Sequence, residues 1–127
     1  MDIKTRKQIR VLCVDDTLLH LELISQHLER KGFFVMAYRD GNEARQDIQG
    51  GLKYDIAIID RSLERSTKWI TGDDLIKLSK DYLPAVPVIA TSAYDDMPDY
   101  ADRLLAKPFG LTEIVEAINE SLPALRE

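Results

Sequence analysis

With 127 residues, of which 45% are hydrophobic and 31% charged, the chain has the size and composition of one globular domain. Its net charge of −5, from 22 acidic and 17 basic residues, disfavours nonspecific nucleic-acid binding and a basic membrane-binding patch. No apolar run approaches the ~18 residues needed to cross a bilayer, so we expect no association with a membrane.

The first residues and the single cysteine indicate where the protein is expected to work. Residues 1–8 are polar, which predicts a frayed lead-in and not the apolar core of a signal peptide. Cys13, the only cysteine, cannot form an internal disulfide, as is typical of proteins in a reducing cytoplasm. We therefore expect a cytoplasmic protein with one domain over residues 1–127.

In the first half of the chain, two predicted strands alternate with two predicted helices. Residues 9–14 form the first strand, and an apolar repeat at helical spacing follows from about residue 17 to Gly32. Residues 33–38 form the second strand. Residues 41–48 form a second, short helix, which ends at a pair of glycines.

The second half begins with a strand predicted over residues 54–60, whose apolar run indicates burial on both faces. A long polar loop follows at residues 61–71. The remaining predicted elements are a helix from Gly72 to Pro84, a strand at 86–90 that closes on Thr91, a strand at 103–106 and a last helix at 111–122.

This alternation predicts an α/β fold, a doubly wound five-stranded parallel sheet with helices on both faces. About five helices are expected. The fourth has only residues 93–102 available, and Pro98 is tolerated only in a first helical turn. We therefore expect that helix to be short or irregular.

Polar side chains follow four of the predicted strands at the same end. They are Asp15 and Asp16 after the first strand, Asp60 after the third, Thr91 after the fourth and Lys107 after the fifth. Because parallel strands end at one edge of a sheet, these groups are expected to converge. Three carboxylates in one pocket raise each other's pKa unless a cation neutralises them, and oxygen ligands favour Mg²⁺. The pattern predicts Mg²⁺-assisted phosphoryl transfer onto or off a carboxylate.

The same residues carry a resemblance to a known family. Over essentially its whole length, the chain resembles a receiver domain of the two-component response regulators. The matching pieces are Val14-Asp15-Asp16, Ile58-Ile59-Asp60, Ile89-Ala90-Thr91-Ser92-Ala93 and Lys107-Pro108-Phe109.

The resemblance implies a role for each residue of this set. Asp60 would accept a phosphoryl group from a phosphohistidine of a sensor histidine kinase or phosphotransfer protein. Lys107 and Thr91 would contact the phosphoryl oxygens. The implied Mg²⁺ ligands are the carboxylates of Asp15, Asp16 and Asp60 and the backbone carbonyl of Ser62.

By the same resemblance, the chain is a phosphorylation switch and not a conventional enzyme. Receiver domains catalyse much of their own phosphorylation from small donors and much of their own dephosphorylation. Ser62 and Ala93 flank the expected path of the attacking water, and because both are small we predict that this path is open. The expected output is a downstream protein partner or a homodimer, with no direct contact to nucleic acid.

Three features depart from the usual family pattern. The loop at residues 61–71 is several residues longer than usual and lacks the usual Met-Pro. It also carries Trp69, which is either an anchor for a partner or a side chain folded onto the third helix. Leu104 stands where the family usually has an aromatic switch residue, so the rotation of a Tyr or Phe that reports phosphorylation in many relatives cannot occur here. The stretch between Thr91 and Lys107 is short. We predict an ordinary site with an altered readout.

Two other functions remain open at this point. One is a Mg²⁺-dependent phosphatase or phosphotransferase with an Asp nucleophile, but such enzymes usually carry Asp-x-Asp after the first strand, whereas this chain has Asp15-Asp16-Thr17. The other is a pseudo-receiver that binds partners without phosphorylation. Such members usually lose an acidic residue or the lysine, and this chain retains them.

Overall fold

A computed structural model describes residues 8–63 and 70–122, which form a parallel sheet with helices on both faces. The strands are β1 (Arg10–Val14), β2 (Phe34–Tyr38), β3 (Ile56–Asp60), β4 (Val88–Ser92) and β5 (Arg103–Ala106). The helices of the described ranges are α1 (Leu18–Arg30), α2 (Gly41–Gln49), α3 (Gly72–Tyr82) and α4 (Leu111–Ser121). The predicted doubly wound five-stranded fold is confirmed.

The strands are ordered β2-β1-β3-β4-β5, and every neighbouring pair is parallel. All residues of β3 and β4 are buried, whereas β2 and β5 at the two edges are partly exposed. Burial on both faces explains why β3 is a continuous run of apolar residues up to its last position.

Alternate residues of each strand supply two separate cores, because successive side chains point to opposite faces of a sheet. On one face, Val11 and Ile58 pack with α1 and α4 through buried residues such as Leu28 and Ile118. On the other face, the neighbouring strand residues pack with α2 and α3. Their buried residues include Leu12, Ile59, Ile48, Leu75 and Ile76.

The fourth strand begins later than predicted. It spans Val88–Ser92, two residues beyond the predicted start, because Pro87 has no N–H to donate to the sheet. The carbonyl of Pro87 still accepts a hydrogen bond of 3.1 Å from the Ala57 N–H. The Val88 N–H donates to the Asp102 carboxylate at 2.7 Å, which pins the start of β4 to the end of the following connection.

The connection between β4 and β5, residues 93–102, contains bends and turns and no helix. We call it the β4–β5 segment. The expected short or irregular helix is therefore irregular, and the described residues form four helices where about five were expected. Much of this segment is exposed, including Tyr94, Met97 and Tyr100.

Two predictions fall on parts of the chain that the structure does not describe. Residues 1–7 of the predicted lead-in lie outside the described residues, and so does Trp69 with its neighbours at 64–68. Among the described helices, none has the length and apolar character required to traverse a lipid bilayer.

Candidate functional site

Three carboxylates meet at the carboxyl edge of the sheet. Asp15 and Asp16 follow β1, and Asp60 is the last residue of β3. Each offers a carboxylate oxygen, and these oxygens lie within 4.8 Å of one another. The three residues are only 3%, 6% and 1% exposed, respectively. The register that pairs Val14 with Ile59 ends β1 and β3 at the same level and so brings the carboxylates together.

Lys107 supplies the positive charge at this edge. It follows β5, and its Nζ lies 2.9 Å from Oδ2 of Asp60 and 4.0 Å from Oδ2 of Asp15. Its backbone N–H donates to the Ser92 carbonyl at 2.6 Å, which continues the pairing of β4 with β5. The lysine is thus held by the sheet and directed at the Asp60 carboxylate.

Backbone N–H groups fix the orientation of two of the carboxylates. The Thr17 N–H donates to Oδ1 of Asp15 at 2.9 Å, and the Ser62 N–H donates to Oδ1 of Asp60 at 3.0 Å. Each bond closes a turn two residues long after the strand end, which is a common arrangement for Asp. Both oxygens of Asp60 therefore have a partner, one in the backbone and one in Lys107.

Thr91 lies directly beside Asp60, as its register partner on β4. It is 2% exposed, and its carbonyl accepts a hydrogen bond of 2.9 Å from the Arg61 N–H. Ser62 and Ala93, which follow β3 and β4, are both exposed. The two small residues that flank the predicted path for water are therefore at the solvent side of the site.

Burial changes the acid–base chemistry of the edge. Loss of hydration is the main cause that raises the pKa of the Asp15 carboxyl, and the nearby Asp60 charge adds to this rise. The hydrogen bond from Thr17 and the positive charge of Lys107 lower the same pKa, but the net shift is upward. Burial also raises the pKa of Cys13 to about 12, and the charges of Asp15 and Asp60 add to that effect. Cys13 is therefore a protonated thiol of the core, with no nucleophilic role at neutral pH.

The donor set fits a hard divalent cation. Three buried carboxylates held this close repel strongly in a medium of low polarity, which a divalent cation would relieve. Oxygen ligands in such a group match the preference of Mg²⁺, which also retains waters and shares phosphate oxygens. The residues that could hold the ion are Asp15, Asp16 and Asp60, with backbone oxygens nearby.

Sequence reasoning overlooked a steric requirement of the site at Gly72. A Cβ atom at this first residue of α3 would lie 2.2 Å from the Asp60 carbonyl oxygen and 2.4 Å from the Arg61 Cα. Only glycine allows α3 to begin directly against the acceptor backbone. The feature of the sequence that could have indicated this position is the pair Thr71 and Asp74, which forms a capping box at the start of α3.

The sequence placed Arg61 in a long polar loop but did not indicate its contacts beside the site. Its guanidinium forms two hydrogen bonds with the Asp73 carboxylate, at 2.8 and 3.0 Å, and donates to the Asp96 carbonyl at 2.8 Å. The residue that directly follows Asp60 therefore joins α3 to the β4–β5 segment. No sequence signal pairs Arg61 with Asp96, because the contact depends on the path of an irregular segment.

A second feature borders the site on the α1 side. A cavity of about 390 Å³ opens beside Lys107 and is lined mainly by apolar side chains. Leu23 of α1 and Phe109 lie on its walls together with His20. On the same helix, Leu18, Leu19 and Leu23 are between 45% and 62% exposed, an unusual row of leucines for a surface.

The structure brings four of the predicted site residues into direct proximity: Asp15, Asp16, Asp60 and Lys107. Thr91 and Ser62 lie next to Asp60 along the sheet and along the chain. Fold and site thus define a parallel α/β domain with an acidic centre and one lysine where the central strands end, the usual location of ligand sites in such sheets.

Comparison with known proteins gives the family. The sequence model described as the response regulator receiver domain matches residues 11–119. The fold is similar to that of a CheY-like receiver domain protein from Methanospirillum hungatei, with a TM-score of 0.81, 23% identity, and coverage of 93% of this chain and 96% of that one. A receiver protein from Sinorhizobium medicae gives a TM-score of 0.82, 22% identity, and coverage of 94% and 98%.

The receiver domain of the Francisella response regulator 1452 is also similar, with a TM-score of 0.78, 25% identity, and coverage of 94% of this chain and 100% of that one. A comparison with curated proteins found no match. The chain belongs to the response regulator receiver domain family, since the family match covers most of its length. The resemblance is thereby confirmed, and receiver domains are in general phosphoacceptor signalling domains.

Proposed function

We propose that this chain is a signalling switch in which Asp60 accepts a phosphoryl group from a phosphohistidine of a sensor kinase or phosphotransfer protein. The observation that carries the proposal is the environment of Asp60. Its carboxylate is 1% exposed, lies 2.9 Å from the Lys107 ammonium and shares its pocket with two further carboxylates. A nucleophile, a cation and a divalent-ion site in one pocket are the parts that phosphoryl transfer needs.

The transfer is a displacement at phosphorus. One Asp60 oxygen forms the new P–O bond while the P–N bond of the donor phosphohistidine breaks, and the departing imidazole nitrogen takes up a proton. The Lys107 ammonium stabilises the negative charge on the phosphoryl oxygens, and the Thr91 hydroxyl adds a neutral donor. Hydrolysis later releases inorganic phosphate and restores the Asp60 carboxylate.

A bound Mg²⁺ would supply charge neutralisation for this step. Its proposed ligands are the carboxylates of Asp15, Asp16 and Asp60 and the backbone carbonyl of Ser62. The support is the group of three buried carboxylate oxygens within 4.8 Å of one another, a donor set that suits a hard cation.

The donor protein is proposed to dock on α1. Its phosphohistidine must reach Asp60, so its surface has to cover the opening of the site beside Lys107. The apolar cavity next to Lys107 and the exposed Leu19 and Leu23 form a continuous apolar border on that side. Such a border suits a partner that presents its histidine from an apolar surface.

The test is phosphorylation of the purified chain by acetyl phosphate with Mg²⁺, followed by intact-mass measurement. Wild type is expected to gain one phosphoryl group, and Asp60→Asn to gain none. Asp95→Asn, which changes an exposed carboxylate on the β4–β5 segment, is the matched control and should react like wild type. An unmodified wild type, or an Asp60→Asn variant that is modified equally, would overturn the proposal.

A further inference from the structure

Arg61 connects the acceptor strand to two other parts of the surface. Its backbone N–H donates to the Thr91 carbonyl at 2.9 Å. Its guanidinium grips the Asp73 carboxylate at the start of α3 with two bonds of 2.8 and 3.0 Å. The third contact is with Asp96 in the β4–β5 segment, at 2.8 Å to the carbonyl and 3.4 Å to the carboxylate.

Arg61 is one of several contacts that position the β4–β5 segment, in which Pro98 is buried and Ala101 packs against the core cluster that contains Leu12. At the start of the segment, the Tyr94 N–H donates a hydrogen bond of 3.0 Å to the Ser92 hydroxyl. At its end, the Asp102 carboxylate forms an ion pair of 2.5 Å with Lys80. Between these ends Arg61 holds the backbone at Asp96. Because the segment has no helix, it lacks the internal hydrogen bonds that would otherwise keep its shape.

The segment presents side chains suited to binding a partner. Tyr94 is 72% exposed, and Met97 and Tyr100 are exposed by nearly half. Aromatic and methionine side chains are the types enriched at protein interfaces. A change in the position of this segment therefore changes what the domain presents to other proteins.

This chain lacks the aromatic switch residue that receiver domains usually carry three positions before the lysine. Leu104 occupies that position on β5 and packs against the core cluster that contains Leu12 and Ile59. A packed leucine cannot report the state of the acceptor by swinging between buried and exposed positions. A different group beside Asp60 is therefore needed if phosphorylation is to act on the β4–β5 segment.

The charges around Arg61 suit such a role. Of its two carboxylate partners, Asp96 is the weakly held one, since its side chain is 73% exposed and lies 3.4 Å from the guanidinium, whereas Asp73 is bound by two short hydrogen bonds. Phosphorylation of Asp60 would place a group with a charge of about −1.5 to −2 and three strong acceptor oxygens on the adjacent residue. Arginine pairs strongly with phosphate oxygens, and the added negative charge repels the Asp96 carboxylate.

The guanidinium has room to move between these partners. A cavity of about 320 Å³ lies between the acceptor strand and the β4–β5 segment. Its lining combines the acceptor side with the segment: Arg61, Ser62, Ser92, Tyr94 and Asp96. The guanidinium therefore borders open space on the side of Ser62 and Ser92 and is not enclosed by packed core.

We propose that Arg61 couples phosphorylation to output: the phosphoryl group on Asp60 draws the guanidinium away from Asp96 and releases the β4–β5 segment. This inference rests on the proposed function, because it requires that Asp60 be phosphorylated. It adds the group that carries the signal and the surface that responds.

The test is amide hydrogen exchange of residues 93–102, with and without beryllofluoride and Mg²⁺ as the phosphoryl mimic. In wild type, activation is expected to raise exchange at Met97 and its neighbours by about two- to fivefold, the range for loss of an exposed ion pair. Arg61→Gln should show raised exchange before activation and little further change. The difference between the two states is the readout, since a purely structural role of Arg61 would leave it unaltered.

A second variant and a matched control complete the experiment. Asp96→Asn removes the negative charge 3.4 Å from the guanidinium and leaves the contact with the Asp96 carbonyl at 2.8 Å, so it should reduce the response only in part. Arg103→Gln removes a different surface ion pair, with Glu120 at 2.6 Å, and should respond like wild type.

The two proposals fail in distinguishable ways. If acetyl phosphate does not phosphorylate wild type, the proposed function and the coupling both fall. If wild type is phosphorylated but residues 93–102 exchange equally in both states, only the coupling falls. An Arg61→Gln variant with a response equal to that of wild type also overturns the coupling.

Discussion

The ammonium of Lys107 lies 2.9 Å from Oδ2 of Asp60, although 47 residues separate the two along the chain. Lys107 follows β5 and Asp60 ends β3, so the contact crosses the end of β4. With Asp60 only 1% exposed, water screens this pair weakly, and the lysine is a strong local counter-charge. Its removal should affect both chemistry and stability.

Lys107→Ala is expected to slow phosphorylation by acetyl phosphate by roughly 10²-fold, the usual effect of losing one group that stabilises developing negative charge. The rate is measured by intact mass over time at saturating Mg²⁺. Lys53→Ala, a change at an exposed lysine, is the control and should leave the rate unchanged. Equal rates for the two variants would remove Lys107 from the proposed chemistry.

Asp15 should make the metal-free protein less stable as the pH rises. Burial raises the pKa of its carboxyl in the folded state, so the unfolded chain ionises at a lower pH than the native protein. Ionisation therefore favours unfolding between the ordinary Asp range and the raised native value, whereas at lower pH both states are protonated and the effect is absent.

The prediction is tested by denaturant unfolding of the metal-free protein at acidic and neutral pH. Asp15→Asn should weaken the decline in the free energy of unfolding with pH and be more stable than wild type at neutral pH. Asp95→Asn serves as the control, because it removes an equal charge from an exposed position. An Asp15→Asn variant that is less stable than wild type at neutral pH would contradict the assignment.

Magnesium should have the opposite effect on the same residue. An ion that binds only the folded state stabilises it by about 2.7 kcal/mol at a concentration 100 times its Kd. We expect Mg²⁺ to raise the Tm of wild type and chelation to reverse the rise. In Asp15→Asn most of the rise should be lost, and a rise that persists in full would show that the ion binds elsewhere.

Gly72→Ala is expected to destabilise the fold by roughly 1–3 kcal/mol, the usual range for inserting a group into a packed site. The new Cβ would lie 2.2 Å from the Asp60 carbonyl oxygen, and a backbone atom cannot yield as a flexible side chain can. Gly110→Ala is the matched control, since its Cβ would meet only Glu113 Oε1, at 3.6 Å. Denaturant unfolding of both variants measures the difference, and equal losses would mean that the backbone at Asp60 relaxes freely.

The docking proposal for α1 predicts a difference between two kinds of donor. Leu19→Arg should lower phosphotransfer from a histidine phosphotransfer protein about tenfold, as expected for the loss of one interface anchor. Phosphorylation by acetyl phosphate should be unchanged, because a small donor needs no docking surface. Tyr82→Arg alters an exposed apolar residue on α3 and is the control. A variant slowed equally with both donors would argue against docking at Leu19.

Much of the fold could be predicted because the pattern along the chain is local. The apolar run of β3 and the helical repeat of α4 each reflect burial of one element, and glycines and prolines mark several ends. Boundaries were less certain where a residue's role depends on a distant partner. The start of β4 at Val88 is also held by Asp102, whose carboxylate accepts from the Val88 N–H, and no local pattern indicates that contact.

The residues of the candidate site also fall into those that a local sequence pattern predicts and those that depend on distant partners. That Asp15, Asp16, Asp60 and Lys107 meet could be predicted, since parallel strands end at one edge and each residue directly follows a strand. The steric role of Gly72 and the contacts of Arg61 could not, because they arise where α3 and an irregular segment approach β3.

The sequence by itself determined the order of elements, the parallel sheet and the set of groups at its carboxyl edge, because strand periodicity and strand-end residues are properties of short stretches. Only the tertiary structure decided how that edge is connected to the surface. It showed an irregular segment where a helix was expected, packed a partly buried Leu104 against the core and placed Arg61 between Asp73 and Asp96. Those contacts join residues distant in sequence, and their geometry exists only once the helices have packed on the sheet.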